Sequence, residues 1–250
     1  IVPQMDEKAP EGGSVMSASD SQVASASASR PDPIDSRSAI LSRLSNVESF
    51  KAAPIRRDYV QSPTLPPNPA MLVQEMKETL EDYGAQVTIC ETEEALPDCI
   101  DTVLGDIPSV VVSGDAPMSW IKAIMAKHLV YLDSPAEPLG SDVLDGVAAT
   151  VTASRLGIAP TGTIVLDGGK GQGRRKITLL PDTHVVVLYT DTICATVPQA
   201  VRILAKHPNR PMTWISGPSA TSDIELSRVD GVHGPRNLKV ILCKRAKKGS

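Results

Sequence analysis

Three segments of this chain hold the residue types that can bind or work on a small anion. The first is Leu166-Asp167-Gly168-Gly169-Lys170-Gly171-Gln172-Gly173-Arg174-Arg175. Glycines bare the backbone, so an anion can approach it closely. The N–H groups around Gly169, Gly171 and Gly173, beside the cations Arg174 and Arg175, can form a phosphate or carboxylate cradle. The same residues also fit a flexible hairpin-like turn whose basic side chains are simply solvated. The segment is not a P-loop, because the Gly-Lys-Ser/Thr ending is absent, and its spacing is not the dinucleotide-binding fingerprint.

The second segment runs from Ser216 through Gly217, Ser219, Thr221, Ser222 and Asp223 to Glu225. Ser222 with Glu225 three residues later fits a capping box, which predicts a helix starting there. A helix start offers free N–H groups and the positive end of its dipole. Gly217, Ser219, Thr221 and Ser222 could then surround a carboxylate or phosphate; alternatively they only cap and shape the turn. Asp223 and Glu225 are acid–base candidates if the fold brings a substrate to them. The third segment is Gly231-Val232-His233-Gly234-Pro235-Arg236. His233, between glycines, can accept a hydroxyl proton while Gly234 and Arg236 hold a carboxylate. The plainer reading is a hydrogen-bonded turn residue. His128 and His184 flank predicted strands, and His207 ends a helix, so they are poorer candidates. No histidine spacing suggests zinc, and no Gly-x-Ser-x-Gly suggests a hydrolase nucleophile.

The bulk properties narrow the classes. The chain has 250 residues, of which 41% are apolar, enough for one cored domain with a tail. Its net charge of −4 gives no reason to expect nucleic acid or an anionic membrane, and a single Phe leaves few stacking platforms. Cys90, Cys99, Cys194 and Cys243 form no Cys-x-x-Cys pair. Buried thiols in a reducing compartment are expected, rather than a metal or cluster site in this chain. No apolar run reaches the ~18 residues of a membrane span, and the first residues lack a signal pattern. The expected location is the cytoplasm.

Elements must position these segments. Residues 1–34 are rich in Ser, Ala, Pro and Gly and read as a disordered tail. A helix carrying Ile40, Leu41, Leu44 and Val47 on one face and a Pro-rich connector occupy 35–69. Residues 244–250 read as a basic tail. Between them, predicted strands at 87–90, 109–113, 128–132, 147–152, 163–166, 184–188, 212–216 and 238–242 are interleaved with helices at 70–83, 93–104, 118–127 and 197–207. Continuous apolar strands separated by helices predict an α/β fold, a mainly parallel sheet with helices on both faces. Ligands of such sheets bind outside the carboxyl ends of the strands, which directs attention to the loops after them.

The motif order resembles the LUD-domain family, of the lactate-utilisation protein C type. The resemblance rests on Thr161-Gly162-Thr163-Ile164-Val165-Leu166 leading into the glycine loop, Leu179-Leu180-Pro181-Asp182-Thr183-His184, the run from Ser216 to Glu225, and Gly231 to Arg236. Weaker similarity includes Asp82-Tyr83-Gly84-Ala85 and Arg57-Asp58-Tyr59, so it covers roughly 35–243. It implies a fold like the NagB/RpiA/CoA-transferase group. It also implies an accessory or regulatory part in a multi-component system oxidising L-lactate to pyruvate. Independent activity is not expected; the iron–sulfur clusters would reside on partner subunits, with lactate or pyruvate as the small anion. One departure stands out: Pro160 precedes Thr161-Gly162, where the family commonly has Glu. The alternative is a stand-alone CoA-transferase-like or ATP-dependent ligase-like enzyme using the glycine loop. Every site assignment requires the three segments to meet at one rim of the sheet.

Overall fold

The computed structural model describes residues 33–45, 54, 56, 68–222, 228–230 and 234–245. The chain forms two compact units, 1–57 and 58–250. The boundary falls inside the stretch read from sequence as N-terminal helix and connector. In the first unit lies α1 (Pro33–Ser45), with Ile40, Leu41 and Leu44 exposed on its surface.

The second unit begins with α2 (Pro69–Asp82), where the Asn68 side chain accepts a bond from Ala70 N–H and Pro69 supplies a preset first turn. There follow β1 (Gln86–Cys90), α3 (Leu96–Leu104), β2 (Ser109–Ser113), α4 (Met118–Met125), β3 (Leu129–Asp133), α5 (Ser141–Asp145), β4 (Ala149–Ala153), β5 (Leu156–Ile158) and β6 (Thr163–Leu166). The chain continues through β7 (Thr183–Tyr189), β8 (Ile193–Cys194), α6 (Val197–Leu204), β9 (Thr213–Ile215), β10 (Ala220–Ser222), β11 (Arg228–Asp230) and β12 (Asn237–Cys243).

Six strands form one fully parallel sheet in the order β1-β12-β7-β4-β2-β3. The α/β prediction holds. Alternate residues point to opposite faces. Val110, Val112, Ala149, Val151, Val185, Val187 and Ile241 pack against Leu96, Ile100 and Leu104 of α3 and Trp120, Ile121 and Ile124 of α4. On the other face, Val186, Leu188, Leu238, Val240 and Leu242 meet Met76 and Leu80 of α2 and Ile164 and Leu166 of β6.

The second covering layer corrects part of the sequence reading. Segments 163–166 and 212–216 do not extend the parallel sheet. They belong to a separate mixed sheet, β8-β5-β6-β9. β5 and β8 are too short, at three and two residues, to show a period of their own. α6 closes that sheet with Ala200 and Leu204. The main strand order reverses between β2 and β4: the chain leaves β2 outward for β3 and leaves β4 inward toward β7.

Ser222, expected to cap a helix, takes part in a strand ladder. The backbone of 220–222 pairs antiparallel with 228–230, with Ser222 opposite Arg228. Ser222 therefore lies in a strand, and residues 223–227, which would carry the first turn of the expected helix, lie outside the described residues. Short polar residues such as Thr221 and Ser222 tolerate extended backbone as readily as a cap, so the ladder decides.

Candidate functional site

The glycine loop lies at the carboxyl rim. Gly171 O accepts from Ala153 N–H at the end of β4 (2.9 Å), and Gly171 N–H donates to Asp115 Oδ1 just beyond β2 (3.1 Å). The loop thus fills the strand-order reversal between β2 and β4. Gly171 has φ 73, and a Cβ there would come within 3.3 Å of Ala153 Cβ. Asp167 organises the rest of the loop and is almost fully buried. Its Oδ1 accepts from Gly169 N–H and Gln172 Nε2 (both 3.1 Å), and its Oδ2 accepts from Arg210 (3.1 Å).

These bonds correct the cradle expected from sequence. Gly169 and Gly171 point their N–H groups at the protein's own carboxylates. Arg174 is spent similarly: its Nε and Nη2 donate to Asp133 at 2.8 and 2.5 Å, and Nη2 reaches Leu139 O at 3.2 Å. Burial works to raise the Asp133 carboxyl, but the Arg174 bonds and the Leu139 N–H hold it below its ordinary value. A cleft of about 450 Å³ remains here, lined by Ser113, Asp115, Asp133, Ser134, Gly173 and Arg174 among others. Its walls carry two carboxylates and one neutralised guanidinium, a poor setting for a phosphate.

One residue further the situation changes. Arg175 is exposed and has no carboxylate partner among the described residues. It lines a cavity of about 260 Å³ together with Thr178, Leu179, His184, Trp214, Ser216, Gly217, Ser219, Gly234, Pro235 and Leu238. A smaller hollow of about 230 Å³ shares Arg175, Thr178 and Thr213 with this cavity, and Gly173 and Arg174 with the carboxyl-rim cleft. The surface is therefore continuous between the two.

The cavity sits at the opposite rim from the one the strand-end rule indicates. His184 and Leu238 are the second residues of β7 and β12, so this is their amino end. The Ser-Gly-Pro-Ser loop is seated on the end of α2. Gly217 has φ 86, and a Cβ on it would meet Tyr83 Cβ and O at 3.0 Å. Ser219 N–H donates to Pro235 O at 2.8 Å, tying this loop to the Gly-Pro corner. Arg175, Gly217, Ser219 and Gly234 thus line one cavity. Arg236 does not line it; its Nε donates to Asp182 at 2.5 Å. For Thr221 and Ser222 the strand backbone is described. Asp223, Glu225 and His233 lie outside the described residues.

Two features of the cavity were not singled out from sequence. Thr161, Thr163 and Ser216 form a chain of hydroxyls, each step 2.8 Å, that ends on the cavity wall. Pro160, in a 3-10 turn before this chain, is exposed and lines none of the three cavities. The other feature is His184, which is buried and bonded through Nε2 to Thr152 Oγ1 at 2.8 Å. Burial pushes its pKa down to about 3, so the ring is neutral. Its signal in the sequence was only an imidazole opening an apolar strand, a pattern that core histidines share.

With the geometry in place, the comparisons are informative. The LUD domain family matches residues 73–243. The chain belongs to this family. The LUD match is supported by lactate utilization protein C of Deinococcus radiodurans, 41% identical over 187 residues, spanning 71% of this chain and 85% of that protein. Proteins of the same name from Anoxybacillus flavithermus (41% over 86 residues) and Bacillus subtilis (35% over 98 residues) align over 34% and 37% of this chain and 39% and 40% of their own length. A crystal structure of a DUF162 family protein from Deinococcus radiodurans superposes with a TM-score of 0.58 at 32% identity, over 72% of this chain and all of that one. The resemblance drawn from the four motif stretches is borne out, and the matched residues 73–243 take in the strands of both sheets.

Among the described residues, no group of three His, Cys, Asp or Glu side chains could hold a metal ion, and no helix is long and apolar enough to cross a membrane. Cys90 and Cys243 are register partners on β1 and β12, with Cys99 of α3 packed against them. Burial, reinforced by Cys90, pushes Cys99 to about 11 and Cys243 to about 12.

Proposed function

We propose that this LUD chain serves lactate utilisation as an accessory subunit of a multi-component system that oxidises L-lactate to pyruvate. In this reading the iron–sulfur centres sit on partner subunits. The contribution of this chain is to bind a small carboxylate in the amino-rim cavity. The observation that carries it is Arg175, a guanidinium without a carboxylate partner among the described residues, on a cavity lined by the Ser216–Ser219 loop, Gly234 and neutral His184. An arginine can hold a carboxylate through two parallel bonds, and the hydroxyls of Ser216 and Ser219 are neutral donors for its remaining oxygens. The relatives named for lactate utilisation supply the metabolic setting.

The rival, a stand-alone enzyme cradling phosphates on the glycine loop, has the electrostatics against it. Asp115, Asp133 and Asp167 already engage that loop and Arg174. Two experiments test the proposal. Isothermal titration of the purified chain should show binding of lactate or pyruvate that Arg175→Ala removes. Deletion of the protein in its host should abolish growth on lactate, and the tagged chain should co-purify iron–sulfur subunits. Flat titrations with both acids, or turnover of CoA esters or ATP by the chain alone, would replace this reading.

A further inference from the structure

His184 is the most buried polar residue on the cavity wall, at 1% exposure. Its Nε2 is engaged by Thr152, and Nδ1 has no hydrogen bond among the described residues. Opposite it in register on β4, Thr150 has a buried hydroxyl with no partner among the described residues. Such groups are costly to leave unsatisfied, and an imidazole nitrogen at a cavity wall is a natural contact for a ligand oxygen.

We infer that the cavity takes both members of a 2-hydroxy/2-oxo carboxylate pair, the carboxylate on Arg175 and the C2 oxygen on His184 Nδ1, with Thr152 setting which tautomer the ring presents. The inference rests on the anion-binding reading above and adds the residue that reads the ligand's C2 oxygen.

The two acids have the same charge and nearly the same shape. They differ at C2, where a hydroxyl can donate and a carbonyl can only accept. An ammonium at that point would favour the carbonyl; a carboxylate would favour the hydroxyl. A neutral imidazole can meet either. When the Thr152 hydroxyl donates to Nε2, the ring proton sits on Nδ1 and points to a carbonyl. When Thr152 accepts from Nε2–H, Nδ1 is a lone pair for the ligand hydroxyl. The change relocates one ring proton through exchange with solvent and rotates one hydroxyl, so the number of bound protons and the net charge stay the same. Burial keeps the ring neutral, so neither ligand is favoured by charge.

The test uses the full chain with 15N-labelled histidine, His184 being assigned by the signal missing in His184→Gln. Saturating pyruvate should place the proton on Nδ1 and saturating L-lactate should place it on Nε2. The two affinities should agree within about tenfold. Thr152→Val, close in shape, should retain the fold and move the ratio of the two affinities roughly fivefold or more from its parent value. One tautomer with both acids, or unmoved His184 signals while Arg175→Ala still weakens both, overturns the inference and leaves the anion site standing. Failure of both acids to bind overturns the anion site and the inference together.

Discussion

Arg174 and Arg175 are neighbours in sequence and opposites in circumstance. Arg174 turns to the carboxyl rim and closes a bidentate pair with Asp133, whose side chain is 1% exposed. Arg175 turns to the amino-rim cavity, where no described carboxylate meets it. The loops around them differ in the same sense. At the carboxyl rim, Asp115 and Asp167 consume backbone N–H groups that a visiting anion would need. At the amino rim, Ser216, Ser219 and Thr178 line open space. A glycine-basic sequence is therefore ambiguous until its carboxylates are located: one half of this loop is internal scaffold, and the other half faces a cavity.

That contrast can be broken experimentally, and the largest effect belongs to the scaffold. Asp133→Ala strands the Arg174 guanidinium and the Leu139 N–H and should cost about 3 kcal/mol of stability. Urea denaturation should show it as a lowered midpoint, with carboxylate affinity at the other rim changed little. Next comes Arg175→Ala, which should weaken lactate or pyruvate binding roughly 10- to 100-fold, the usual worth of a charge-assisted pair. Its thermal midpoint should match the parent, because nothing described leans on that side chain. Titration calorimetry and a melting curve on one preparation read both halves of this prediction.

Smaller effects sharpen the comparison. Gly171→Ala forces a side chain into a left-handed conformation against Ala153, and should cost about 1–2 kcal/mol in denaturation with little change in affinity. Thr163→Val interrupts the hydroxyl chain to Ser216 and should cost about 1 kcal/mol, with affinity reduced only a few-fold. Acid titration separates the groups by pH. His184 has its pKa lowered from 6.5 to about 3, so the unfolded chain binds a proton that the folded chain refuses. Its contribution is complete above pH 6.5 and is lost as pH falls from 6.5 toward 3. Asp133, also lowered, contributes above 3.8 and loses its share below that pH. Ligand affinity should be flat above pH 6.5, and His184→Gln should flatten the stability profile between pH 6.5 and 3.

Much of the main sheet was legible because burial on both faces writes itself as apolar runs. Ser109–Ser113 and Thr163–Leu166 were bounded to the residue. The layer to which Thr163–Leu166 belongs was not legible, since β5 and β8 are shorter than any period and its pairings join residues as distant as Leu166 and Thr213. Ser222, read as a helix cap, pairs in a ladder opposite Arg228, because Ser and Thr suit both settings. Three segments of the site were legible from glycine, hydroxyl and cation content, and six of the residues named in them, Arg175, Ser216, Gly217, Ser219, Gly234 and Pro235, line one cavity. Which of those groups were already satisfied was not legible. Asp133 stands 41 residues from Arg174 and Asp115 stands 56 from Gly171, so only the fold reveals the partners. His184 was passed over because the apolar run that follows it, Val185 to Leu188, resembles any core strand.

The most direct test of the two-rim account compares charge reversals of equal size on the two sides of the loop. Lys170→Glu and Arg175→Glu change net charge identically, and both side chains are exposed. In calorimetric titration with pyruvate, Arg175→Glu should abolish detectable binding while Lys170→Glu stays within about twofold of the parent. Loss of binding in Lys170→Glu with Arg175→Glu unaffected would return the ligand to the glycine loop and contradict the account.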